Sequence, residues 1–155
     1  KFMLPGYNVR PLEMSGAIGV EQLKKLPGFI DSRVKNAKHF VNIFHNHPYL
    51  DIQREVGSSS WFGFALILNE NCPISRRDLV DIFKNSEIEC RPIVTGNFLK
   101  NTEVLKYFDY EVHDTLENSE YIDSNGLFVG NHHIDISDEI NLLYDIVNKA
   151  MGLVS

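Results

Sequence analysis

The stretch SWFGFALIL, residues 60–68, decides the fold of this chain. It is almost wholly apolar and short, so it predicts a β-strand that is covered on both faces. Because polar residues do not alternate with apolar ones, we expect the strand to be central and Trp61 to be mostly buried.

Downstream of this strand, helices and strands alternate. Ser75 and Asp78 have the spacing of a capping box, which predicts a helix from there to about Ser86. A second strand is expected over 88–94 and a third over 127–129. Between them lie a turn at Gly96-Asn97 and a helix that begins near Asp114 and Glu117 and ends at Asn125-Gly126; a last helix is capped by Ser137.

Upstream of the strand, the pattern predicts two helices, over 11–26 and 29–45, separated by a break at Pro27-Gly28. In the second of them, apolar residues recur on one face, as expected for a helix that packs on a core. Two consecutive helices with a short break suit an arm that reaches between domains. We therefore predict a helical arm over 1–45 and a small domain over 46–155.

The predicted order of elements indicates an α+β fold in which helices pack on a small, mainly antiparallel sheet of three strands. A parallel α/β sheet is the competing interpretation. The α+β class is preferred because the connection between the second and third strands is long and irregular.

Length and composition bound the class of protein. The chain has 155 residues, enough for one domain with its own core, and a formal net charge of −6. The acidic balance argues against nucleic-acid binding but leaves room for a local basic pocket. No apolar run approaches the ~20 residues of a membrane span. The first residues, KFMLPG, resemble no signal peptide and lack an initiator Met, from which we expect a piece of a longer protein.

Two further patterns indicate no special chemistry. Cys72 and Cys90 form no Cys-x-x-Cys motif, so we expect two reduced thiols in a cytosolic protein. His132-His133 with Asp135 has the residue types of a metal patch. However, adjacent residues of a strand point to opposite faces, and zinc needs at least three converging ligands, so no metal site is predicted.

Arg91 and its neighbours are the candidate site residues that the pattern itself suggests. A charge on a predicted buried strand needs an anionic partner, either a protein carboxylate or an anionic ligand. Glu89, two residues away on the same face, either pairs with Arg91 or contacts a ligand. Gly96-Asn97 either brings backbone amides close to a ligand or forms an ordinary turn.

Three stretches together resemble a known family. GYNVRPLEM, residues 6–14, with the helix after it resembles the family's G-Y-N-x-R/K segment; the others are RPIVTGN, residues 91–97, and GLFVGNH, residues 126–132. Over essentially its whole length the chain resembles the C-terminal part of the DegT/DnrJ/EryC1/StrS enzymes. The second stretch is more similar to the sugar-nucleotide 3-dehydratases of that family than to its aminotransferases.

The resemblance implies the small domain of a fold-type I enzyme that uses PLP or PMP. It implies a cofactor bound mainly by an absent N-terminal domain, a homodimer, and a nucleotide-linked 4-keto-6-deoxy sugar that undergoes C3 dehydration or amino transfer for surface polysaccharides such as O-antigen. No catalytic residue is assigned to this chain, and no lysine of it is assigned an aldimine. The alternative is a stand-alone, non-catalytic dimerisation or nucleotide-binding module.

For the cofactor, the resemblance implies two residues. It places Asn8 at the dimer interface, where its amide donates to the cofactor phosphate of the neighbouring subunit. Arg10 would hold a phosphate or a substrate carboxylate. The ordinary interpretations are a turn asparagine and a solvated arginine. The substrate set that the resemblance implies is Glu89, Arg91, Gly96 and Asn97, with Arg91 on the substrate pyrophosphate and Glu89 on sugar hydroxyls as the alternatives to their mutual pairing.

Overall fold

A four-stranded antiparallel sheet lies at the centre of the computed structural model, which describes residues 12–93 and 96–154. The strands follow the order β1-β2-β4-β3, and every neighbouring pair is antiparallel. In chain order the elements are α1 (Glu13–Phe44), β1 (Leu50–Ile52), β2 (Gly63–Leu68), α2 (Arg76–Asn85), β3 (Cys90–Arg91), a 3₁₀ turn (Phe98–Lys100), α3 (Thr102–Leu105), α4 (Glu117–Asn125), β4 (Gly126–Gly130) and α5 (Ser137–Ala150).

The predicted α+β class is confirmed, and the competing parallel sheet is excluded by the antiparallel pairing. The predicted number of three strands is wrong, because β1 was missed. This strand has only three residues, LDI, which is too short to show a period-two pattern. It joins the sheet through its register with β2, where Leu50 lies opposite Leu68.

The decisive strand is central, as predicted, but only one of its faces is covered by the described residues. Phe64, Leu66 and Leu68 are buried, whereas the alternate residues are only half-buried. Trp61, just before the strand, is 5% exposed, so its predicted burial is confirmed. The expectation of cover on both faces is wrong for this part of the chain, because the helices that bury Phe64 lie on one side.

Helix α1 is continuous, and the predicted break at Pro27-Gly28 is wrong. A proline removes one helical hydrogen bond and crowds the carbonyl one turn earlier, but it does not by itself end a helix. The preceding segment EQLKKL, residues 21–26, consists of strong helix formers, which favour continuation through the proline.

The two halves of α1 have different environments. Apolar residues of the first half, such as Met14 and Leu23, are exposed. The second half enters the core, where the ring of Phe40 stacks on Phe44 at 4.7 Å and on Phe64 at 4.3 Å between centroids. A domain boundary at residue 45 stays a prediction, and the core of the small domain includes this second half.

Helix caps follow the sequence pattern at only one of three helices. The capping box of α2 is confirmed: Asp78 N donates to Ser75 Oγ at 3.2 Å, and Ser75 N donates to Asp78 Oδ2 at 3.0 Å. The box expected at Asp114 does not form, because that residue has a left-handed φ of 62° and Leu116 precedes α4. Ser137 is the first residue of α5 rather than its cap.

The two histidines after β4 also differ from expectation. His132 and His133 lie beyond the strand, and their rings stack with centroids 4.3 Å apart instead of pointing to opposite faces. Within 12–93 and 96–154, no group of three or more His, Cys, Asp or Glu side chains has the geometry of a metal site.

Cys72 and Cys90 are free thiols. No helix in the described part of the chain has the length and hydrophobicity that crossing a bilayer requires.

Candidate functional site

The loop that follows β3 is fastened to helix α4. Asn97 is buried; its backbone N–H donates to Asp123 Oδ1 at 3.0 Å, and its side-chain Nδ2 donates to Glu120 Oε1 at 2.5 Å. The oxygen of the same side chain accepts from Leu99 N at 3.1 Å and caps the 3₁₀ turn. Both polar ends of the Asn97 amide are therefore used to shape the loop.

Lys100 completes this network. Its ammonium group lies 2.8 Å from Glu120 Oε2 and 2.5 Å from Asp123 Oδ2. The hydrogen bonds to Asp123 and Glu120 raise the pKa of Lys100, and the hydrogen bond from Lys100 lowers the pKa of both carboxyl groups. All three groups therefore stay charged around neutral pH, and the loop stays fastened there.

Gly96 is a position in this loop that has no space for a side chain. Its φ is +65°, and a Cβ atom on it would overlap Asp123 Oδ1. Glycine is required both by the left-handed backbone and by the approach of the carboxylate. Gly96 and Asn97 thus form the anchored turn that was the ordinary interpretation of their pattern, and whether they also contact a ligand stays a prediction.

Replacing Gly96 with alanine should lower the free energy of unfolding by about 2 kcal/mol, since a left-handed alanine costs roughly 1 kcal/mol and Asp123 must move. Gly57→Ala is the matched control, because Gly57 has a φ of +84° but open space around it. Urea unfolding of the chain and both variants measures the difference. Equal losses in the two variants would show that the contact with Asp123 contributes nothing.

Glu89 and Arg91 lie together at the edge of the sheet, Arg91 as the last residue of β3 and Glu89 directly before that strand. Both Nε and Nη2 of Arg91 donate to Glu89 Oε1, at 3.1 and 2.7 Å. The pair is exposed, with 69% of the Arg91 side chain and 78% of the Glu89 side chain accessible. The expected burial of Arg91 is wrong because β3 has two residues and one free edge, but the predicted pairing of these side chains is present.

A cleft of about 740 Å³ opens beside β3, between the end of β2, the start of α2 and the end of α4. Of the four predicted substrate residues, only Arg91 lines it. The structure thus brings Glu89 and Arg91 together at the cleft edge and places Gly96 and Asn97 against α4. The cleft is lined by Leu68, Asn69, Glu70, Cys72, Ile74, Ser75, Arg76, Arg77, Val80, Cys90, Arg91, Pro92, Ser124 and Asn125.

Sequence reasoning missed Arg76 and Arg77 in this cleft. Both occupy the first turn of α2, where a positive charge opposes the helix dipole. Two consecutive arginines at a helix N-terminus were therefore a readable signal of an anion nearby. It was overlooked because the capping box around them explained the segment.

A second missed pair joins α1 to the segment after β4. The Nδ2 of Asn36 donates to Asn131 Oδ1 at 3.1 Å, and the Nδ2 of Asn131 donates to Trp61 O at 2.9 Å and Arg33 O at 3.0 Å. Both amides are buried, at 2% and 7% exposure. The motif GLFVGNH therefore has a structural role through Asn131.

The cofactor residues implied by the resemblance, Asn8 and Arg10, lie outside the described residues. Within those residues no lysine has the buried, unpaired setting that favours a reactive amine. Lys24, Lys100 and Lys106 are paired with carboxylates. No lysine of the described residues is therefore set up to form an aldimine with PLP.

Comparison with known proteins gives a consistent result along the chain. The model of the DegT/DnrJ/EryC1/StrS aminotransferase family matches residues 2–141. GDP-4-keto-6-deoxy-D-mannose 3-dehydratase of Escherichia coli O55:H7 is 63% identical over 147 residues, which is 95% of this chain and 38% of that protein. The enzyme of the same name from Yersinia pseudotuberculosis is 64% identical over 149 residues, with 96% and 38% covered.

A solved structure agrees with these sequences. The structure of Escherichia coli GDP-4-keto-6-deoxy-D-mannose-3-dehydratase with bound hydrated PLP has a TM-score of 0.87 and 62% identity. The match covers 95% of this chain and 38% of that one. The chain therefore spans somewhat over a third of the length of the relatives it matches.

Proposed function

Because the chain belongs to the DegT/DnrJ/EryC1/StrS aminotransferase family, we propose that it is the C-terminal, substrate-binding part of a PLP- or PMP-dependent enzyme that acts on a GDP-linked 4-keto-6-deoxy sugar. The reaction would be removal of the C3 hydroxyl. The observation that carries this proposal is the 63% identity to a GDP-4-keto-6-deoxy-D-mannose 3-dehydratase over 95% of the chain.

The cofactor would be held by the part of the protein that precedes this chain in its relatives. When bound, it supplies an electron sink for chemistry at the sugar ring. The described residues would act on the substrate alone. Arg91, at the edge of an open cleft, has guanidinium N–H groups beyond those used by Glu89 and can bind a phosphate in fork geometry.

The anchored turn at Gly96-Asn97 follows Arg91 and Pro92 closely in the chain. Asn97 and Lys100 are tied to α4, so the start of the 3₁₀ turn is fixed. A binding group that is held before the ligand arrives loses less entropy on binding. We therefore propose that Gly96 and Asn97 position the loop, and that Glu89 orients Arg91.

Two alternatives come from different classes. An aminotransferase would replace the keto oxygen of the sugar with an amino group, whereas a dehydratase removes the C3 hydroxyl and adds no nitrogen; the names of the relatives favour the dehydratase. A non-catalytic dimerisation or nucleotide-binding module would turn over no substrate.

Incubating the protein expressed from its complete gene with the GDP-4-keto-6-deoxy sugar, PLP and glutamate separates these three functions. Mass spectrometry should find a sugar that has lost one oxygen and gained no nitrogen. A product carrying new nitrogen supports the aminotransferase, and an unchanged sugar supports the module.

For the intact protein we also propose a homodimer in the cytoplasm. The dimer follows from the place that the family resemblance gives to Asn8, and the compartment from the supply of a GDP-linked sugar and the two free thiols.

In the intact protein, Arg91→Ala should weaken GDP binding by roughly 10- to 100-fold, because a hydrogen bond to a charged group contributes about 1.5–3 kcal/mol. Isothermal titration calorimetry with GDP measures the change. Arg54→Ala is the matched control, since Arg54 is exposed and lines a different groove. Unchanged GDP affinity in Arg91→Ala would remove Arg91 from the substrate site.

A further inference from the structure

The cleft beside β3 concentrates positive charge in an acidic chain. Three of the six arginines of the sequence line it, namely Arg76, Arg77 and Arg91, whereas Glu70 is the one acidic residue among its lining residues. The chain as a whole carries a formal charge of −6. A concave site with this excess of positive charge attracts anions.

Arg76 is the arginine of this cleft that most clearly lacks a hydrogen-bond partner. Its Nε atom is buried and finds no hydrogen-bond acceptor within the described residues. Nor does Arg76 or Arg77 form an ion pair with a carboxylate there. A buried guanidinium N–H without an acceptor is unfavourable, and without an ion pair the charge of Arg76 is left for an anion in the cleft to balance.

The nearby carboxylates do not fill this role. Asp123 is close enough for its pKa to be lowered by Arg76, but the larger causes are its hydrogen bonds with Lys100 and Asn97, to which it is committed. Asp78 accepts from the backbone and hydroxyl of Ser75. Both acids near Arg76 and Arg77 are thus engaged in shaping the loop and the helix start.

The N-terminus of α2 adds to the positive electrostatic potential of the cleft. The helix has ten residues, and its N-terminus carries a partial positive charge that two adjacent arginines make stronger. Such an arrangement is unfavourable for the chain alone and favourable with an anion present. A cleft of about 740 Å³ is also large enough for part of a nucleotide.

Building on the function proposed above, we propose that Arg76 and Arg77, together with Arg91, bind the diphosphate of the nucleotide-sugar substrate. Arg76 and Arg77 supply positive charge from the first turn of α2, and Arg91 supplies exposed N–H groups from the edge strand β3. The diphosphate is then held between α2 and β3.

The test uses the intact protein and calorimetric titration with GDP, guanosine, inorganic pyrophosphate and glutamate. Arg76→Ala should weaken GDP binding about 10- to 100-fold and pyrophosphate binding similarly, and leave guanosine and glutamate binding within twofold. Arg76→Lys keeps the positive charge but not the planar, bidentate guanidinium, so a smaller, several-fold loss of GDP affinity is expected. Arg54→Ala is the control arginine, and melting temperatures verify that every variant is folded.

The outcomes separate this proposal from the function on which it rests. If Arg91→Ala weakens GDP binding but neither Arg76→Ala nor Arg76→Lys does, the three-arginine site is wrong and the proposed function stands. If the variants weaken pyrophosphate binding and not GDP binding, the cleft is an anion site apart from the substrate, which overturns the assignment. A selective loss of glutamate binding would likewise overturn it. Absence of GDP binding in the unmodified protein would refute the proposed function itself.

Discussion

Replacing Phe64 with alanine is expected to lower the free energy of unfolding of the 155-residue chain by about 3–5 kcal/mol. Phe64 is 1% exposed and lies on the central strand β2. Its ring stacks on Phe40 at 4.3 Å and lies 6.3 Å from the ring of Trp61. Truncation therefore leaves a cavity between the sheet and α1, and removes the contact that joins the second half of α1 to the strand.

The matched control is Phe62→Ala on the same segment. Phe62 is 76% exposed, and its nearest described ring is Phe128 at 6.0 Å. Both variants lose the same side chain, so the difference between their unfolding free energies isolates burial. Urea unfolding of the chain should give a loss below about 1 kcal/mol for Phe62→Ala. A loss of that size for Phe64→Ala as well would show that β2 is peripheral to the core.

The fold class was predictable because its signals are local and strong. The apolar run of β2 and the capping box of α2 both depend on short-range physics, and both are found where they were expected. The missed strand β1 and the two-residue β3 are formed by pairing with distant segments. A pattern of two or three residues carries too little information to reveal such pairing.

The candidate site was predictable in residue type but not in environment. Arg91 and Glu89 were paired correctly from their spacing, yet their exposure was not foreseen, because it depends on which strand lies at the edge of the sheet. Arg76 was missed because its importance comes from an unpaired buried atom, which only three-dimensional contacts reveal. Likewise, Pro27 predicted a break that the favourable residues around it prevented.

Asn36→Ala is expected to lower the free energy of unfolding by about 3 kcal/mol. Its Nδ2 donates to Asn131 Oδ1, to His132 O at 3.1 Å and to Ile134 O at 2.7 Å, and its Oδ1 accepts from Ile136 N at 3.4 Å. Removing the amide leaves buried polar groups without partners, each of which costs about 1–3 kcal/mol. The segment after β4 would then lose its attachment to α1.

The control for this variant is Asn42→Ala on the same helix, where the side chain is exposed. Both changes replace asparagine with the better helix former alanine, so the gain in helix propensity is common to them and cancels in the comparison. A double-mutant cycle of Asn36→Ala with Asn131→Ala, measured by urea unfolding, should show a coupling of about 1–3 kcal/mol because the two amides are directly bonded. Additive losses, or equal stabilities for Asn36→Ala and Asn42→Ala, would mean that the buried amide pair does not hold α1 on the sheet.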